Sequence, residues 1–82
     1  MPVREKVKKI VAKVLRVPEE KIREENRFVQ DLGAESIDSV ELMAAFEAEF
    51  NIEIPPEEGE RVQTVGEAIR YIENKLKEKE EK

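Results

Sequence analysis

Ser36 lies in the run Asp31-Leu32-Gly33-Ala34-Glu35-Ser36-Ile37-Asp38-Ser39-Val40-Glu41-Leu42, where a glycine-containing segment gives way to a helical pattern. A serine hydroxyl becomes a nucleophile in place only when a general base sits within hydrogen-bond reach. The chain has no His and no Cys, and no lysine is near Ser36 in sequence, so a Ser-His hydrolase is excluded and a Ser-Lys arrangement has little support. The chemistry left to Ser36 is modification by a separate enzyme. Asp31, Glu35 and Asp38 could offer oxygen ligands to Ca²⁺ or Mg²⁺. They lack the spacing of a calcium-binding loop, however, and read as a negative surface with no dedicated metal site.

The elements that must position Ser36 can be read from periodicity. Val3, Val7, Ile10, Val11, Val14 and Leu15 recur at helical spacing, with Lys6, Lys8, Lys9 and Lys13 between them, which predicts an amphipathic first helix. Val17-Pro18 should close it, because the residue before proline is pushed out of the helical region. Residues 19–35 hold no sustained period. They read as a long structured connection with a helical turn near Glu19 to Ile22, pinned by Ile22, Phe28, Val29 and Leu32 and bent at Gly33. Loops of this length in a compact domain are usually functional.

From Ser36 onward, Ile37, Val40, Leu42, Met43, Ala45, Phe46 and Phe50 spread over a second helix whose carboxylates are Asp38, Glu41, Glu47 and Glu49. Ser36 reads as its N-cap, and Asn51 followed by Pro55-Pro56 as its stop. A short, weak third helix fits between Pro56 and Val62. Thr64-Val65-Gly66-Glu67 has the capping-box pattern and should open a last helix with Val65, Ala68, Ile69, Ile72 and Leu76 on one face. No strand alternation appears. The expectation is an all-α fold, a small four-helix bundle of three longer helices and one short helix, with a long loop between the first and second.

Composition bounds what such a bundle does. An 82-residue chain makes one domain and buries only about 60–65% of its unfolded surface. With 20 Asp and Glu against 15 Lys and Arg, its net charge of -5 repels nucleic acid and favours basic protein patches. Zero cysteines removes disulfides and thiol chemistry, and no apolar run suits a membrane span or a secretory signal. A cytoplasmic monomer is expected.

The motif from Asp31 to Leu42, reinforced by Glu49-Phe50-Asn51-Ile52-Glu53-Ile54-Pro55 and by Thr64 to Ile72, resembles acyl carrier proteins of the bacterial fatty acid synthesis type. The resemblance implies an acyl carrier domain over residues 1–76 and a charged, frayed tail over 77–82. It implies a carrier and not an enzyme. Ser36 would receive 4'-phosphopantetheine from coenzyme A through a phosphopantetheinyl transferase, and the arm's thiol would hold acyl groups as thioesters. The phosphate would sit near a helix N-terminus, turned to solvent away from Glu35 and Asp38.

Acyl-processing enzymes with basic docking patches would recognise the second helix, where Glu35, Asp38, Glu41 and Glu47 supply charge and Ile37, Val40 and Ala44 supply apolar contact. Phe28, Leu42, Phe46, Ile54, Val62, Ala68 and Ile72 would line an acyl-chain pocket, with Phe46, where relatives commonly have Leu, narrowing it. Relatives usually carry Asp-Ser-Leu where this chain has Glu35-Ser36-Ile37, a change of shape that keeps charge and apolarity. The rival readings are a carrier-fold interaction module that is never pantetheinylated, and a specialised carrier for another acyl or aminoacyl pathway.

Overall fold

The apolar stripe of the first helix is β-branched at every position but Leu15, so its stability has to come from burial more than from helix propensity. In the computed structural model, which describes residues 2–80, that helix is α1, Val3–Leu15, and Val7 and Val11 are fully enclosed. Each such side chain contributes roughly 1.5–3 kcal/mol. The helix stops one turn before Pro18: Arg16 takes the left-handed conformation at φ 60° and returns its N–H to the Ala12 carbonyl.

A 3₁₀ turn at Glu19–Lys21 begins the long connection. The three further helices are α2, Ser36–Phe50, α3, Pro56–Gly59, and α4, Val65–Glu80. α1 packs against both α2 and α4, and the core between them includes Ile22, Leu42, Phe46, Phe50, Ile52, Val65, Ile69 and Ile72. The all-α, four-helix expectation matches this architecture. No strand occurs among the described residues, where one isolated antiparallel bridge pairs Arg27 with Thr64. No described helix is long and apolar enough to cross a membrane.

Backbone bonds give the long connection its shape. The Phe28 N–H donates to the Gln63 carbonyl at 2.9 Å, while the Val65 and Gly66 N–H groups donate to the carbonyls of Asn26 and Glu24 at 3.0 and 2.8 Å. The last two donors belong to the first turn of α4, whose amides have no intrahelical acceptor. Gly66 permits the approach, since a Cβ there would lie 3.1 Å from the Glu24 carbonyl oxygen. The remaining start of α4 is closed as expected: Thr64 Oγ1 accepts from the Glu67 N–H at 3.1 Å, and Glu67 Oε1 accepts from the Thr64 N–H at 3.2 Å.

Residues 77–80, expected as part of a frayed tail, continue α4. A reason is visible at Lys79, whose Nζ donates to the Asn51 carbonyl at 2.6 Å and so ties the end of α4 to the end of α2. Glu81 and Lys82 lie outside the described residues. At the end of α2, Asn51 adopts the left-handed conformation at φ 54°, with its N–H bonded to the Glu47 carbonyl. Lys6 bridges α1 to the same end, 3.3 Å from Glu49 and 5.9 Å from the Phe50 ring centroid.

Candidate functional site

The segment before α2 turns sharply. The N–H groups of Asp31 and Leu32 both return to the Arg27 carbonyl, the Gly33 N–H returns to Val29, and Gly33 has φ 73°, a conformation without penalty only for glycine. Ala34 is buried directly afterwards, its N–H bonded to the Phe28 carbonyl at 2.8 Å. The chain is thus anchored two residues before Ser36, which emerges exposed as the first residue of α2.

The cap of α2 differs from expectation. Glu35, and not Ser36, is the N-cap residue, and its N–H donates to Asp38 Oδ2 at 2.8 Å. The correction has a simple cause: Asp38, three residues past Glu35, completes a capping box one position earlier than a serine cap would require. The Ser36 hydroxyl is left without a structural bond among the described residues. The amides of Ser36 and Ile37, in the first turn, have no intrahelical acceptor and give the tip a partial positive charge.

The predicted docking residues divide into two groups. Ile37, Val40, Glu41 and Ala44 are exposed and spaced i, i+3, i+4, i+7, so they form one stripe along α2 that begins beside Ser36 and Glu35. Ile37 and Val40 are 63% and 62% exposed, unusual for large aliphatic side chains without a partner. Asp38 is half-buried and occupied by the cap. Glu47 is also half-buried, its Oε2 accepting the Ile54 N–H at 2.7 Å, so it holds the segment after α2 in place.

Val29, expected as a core anchor, is 61% exposed. Phe28 takes the inward position in that tight turn and Val29 is turned outward. Asp31 sits with Arg27, which donates from its backbone N–H at 2.8 Å and from Nε at 3.1 Å. These hydrogen bonds hold the Asp31 carboxyl below the usual carboxylate range. With Asp31 and Asp38 each committed elsewhere, no cluster of three or more His, Cys, Asp or Glu able to hold a metal exists among the described residues.

Behind the stripe lies a mainly apolar cavity of about 370 Å³ between α2, α3 and α4. Phe28, Leu42, Phe46, Ile54, Val62, Ala68 and Ile72 are brought together in its lining. The sequence reading missed Val29, Ser39, Met43, Gly59 and Tyr71, which also line it. Helical spacing from Leu42 and Phe46 would have found Ser39 and Met43, which share their side of α2. Ser39 is exposed and lies one turn past Ser36, so the tip of α2 and the rim of the cavity are neighbours on one helix. On the far wall, the Tyr71 hydroxyl donates to Glu58 Oε1, and Lys75 Nζ stands 3.5 Å from the same oxygen.

An exposed, unbonded serine at a helix tip, an acid-edged aliphatic stripe and an adjoining apolar cavity suit a chain that is covalently loaded and then presented to other proteins. Residues 5–72 match the phosphopantetheine attachment site family. The chain is also 51% identical over 73 residues to an acyl carrier protein of Wolinella succinogenes, a match covering 89% of this chain and 96% of that protein. On both matches, this chain belongs to the acyl carrier protein family.

Proposed function

We propose that Ser36 Oγ is the atom that carries 4'-phosphopantetheine, and that the acyl groups borne by this carrier shelter in the cavity beside it. The exposure of Ser36 at the tip of α2 carries the reading. In the transfer, Ser36 Oγ loses its proton to the transferase and forms a bond to the pantetheine phosphorus of coenzyme A. The phosphoanhydride bond breaks, and adenosine 3',5'-bisphosphate leaves. The residues present suit the group: the hydroxyl is unencumbered, and the amides of Ser36 and Ile37 in the same first turn would favour its phosphate charge. Once bound, 4'-phosphopantetheine supplies the thiol that holds acyl groups as thioesters, in a chain that has no cysteine to compete.

The stripe of Ile37, Val40, Glu41 and Ala44, together with Glu35, docks basic patches of the transferase and acyl-processing enzymes through its acidic edge and apolar centre. The chain contributes every one of these features itself, which supports a monomeric carrier. Acyl groups of the fatty acid type fit an apolar cavity lined by Leu42, Phe46, Ile54 and Ile72.

Intact-mass measurement after incubation with coenzyme A and a broad-specificity phosphopantetheinyl transferase tests the attachment. The wild-type chain gains one 4'-phosphopantetheine and Ser36→Ala gains none. Labelling of Ser36→Ala, or of neither protein, rejects Ser36 as the attachment residue.

A further inference from the structure

Resting on the acyl-cavity reading above, we propose that Met43 and Gly59 together form an adjustable wall that sets how long an acyl chain the cavity admits. Gly59 closes α3 and does not have the left-handed backbone that calls for glycine; among the described glycines only Gly33 does. Within a helix glycine is less favourable than alanine, so its presence there asks for a packing reason. The reason is a side chain: a Cβ on Gly59 would fall 2.3 Å from Met43 Sδ, with Ile54 Cγ2 next at 3.4 Å. The Met43 thioether therefore rests in the notch that the missing Cβ leaves.

Met43 also lines the cavity, and it is half-buried where Leu42 and Phe46 are buried. An unbranched thioether changes rotamer readily, unlike the stiffer aliphatic and aromatic walls around it. The opposite support is slight, since α3 is a single turn fastened to α4 chiefly by Tyr71 and Lys75 on Glu58. With its sulfur in the notch, Met43 leaves the cavity open; displaced from the notch, it crosses the space an acyl chain would use. Gly59 is what makes the first position available.

The test uses the full chain loaded with a series of saturated acyl-phosphopantetheine groups, short to long, and follows thioester cleavage by hydroxylamine with intact-mass readout. Protection in the wild type should rise with chain length up to a limit. Met43→Ala removes about three heavy atoms and should raise that limit by about two methylenes. Gly59→Ala should lower it, and should have no such effect when Met43→Ala is already present. Equal limits in wild type and Met43→Ala, or a Gly59→Ala effect that persists without Met43, overturn the proposal. Gly59→Ala decides the matter on its own should Met43→Ala fold poorly, because an unchanged limit there also rejects the wall. Protection that never varies with length in the wild type rejects the acyl-cavity reading itself, and failure to load rejects Ser36; each removes the proposal at a different step.

Discussion

Tyr71, Glu58 and Lys75 make a polar tie on a wall that is otherwise apolar. The Tyr71 hydrogen bond, aided by Lys75, holds the Glu58 carboxyl below its ordinary value, while burial and then Glu58 itself keep the Tyr71 proton bound far above the usual range. A depressed carboxyl stabilises the fold above its unfolded-state value, and that contribution is lost as pH falls through the lower folded-state value. Tyr71→Phe should therefore be less stable than wild type at neutral pH, and the gap should shrink in acid below the ordinary Glu range. Urea denaturation at neutral and acidic pH reads both. Residue by residue, the sequence was a good guide wherever a motif spoke and a poor one where it did not. Ser36 was placed correctly at the tip because Gly33 and the acids around it mark a helix start. Its expected capping role failed because Asp38 favours Glu35 at that position, and Val29 was misread because a loop without period does not say which apolar residue turns inward.

Among the elements, α4 is the one whose start is most heavily secured, by two side chains and two distant carbonyls. Thr64→Ala removes one acceptor from this cap and should lower stability by about 1 kcal/mol, visible as a shifted denaturation midpoint with an unchanged slope. The Thr64 backbone partners would remain, so helicity should survive. The courses of α1 and α2 and the start of α4 were readable because burial spacing, breakers and caps agree there. α3 could be located only as a weak turn between Pro56 and Val62, since its place depends on Glu58 and Gly59 meeting residues far along the chain. The persistence of α4 to Glu80 was likewise hidden, because Lys79 finds its acceptor at Asn51, 28 positions away.

Across the molecule, charge is unevenly divided: α1 is rich in lysine, while the tip and outer stripe of α2 carry Glu35 and Glu41 within a chain of net charge -5. Docking of a basic partner should weaken as salt rises, because exposed charges are screened over about 10 Å at 0.1 M ionic strength. Glu41→Lys should slow association with the transferase and flatten that salt dependence, while thermal stability stays within about 0.5 kcal/mol of wild type. Stopped-flow association and calorimetry separate the two effects. The rungs from Phe28 to Gln63, Asn26 to Val65 and Glu24 to Gly66 carry a different consequence. They stitch the approach to Ser36 onto a segment some forty positions later, so neither can peel away alone. In deuterated solvent, the amide protons of Phe28, Val65 and Gly66 should wash out on one shared clock, and a protease that nicks the approach should unravel the first turn of the final helix with it.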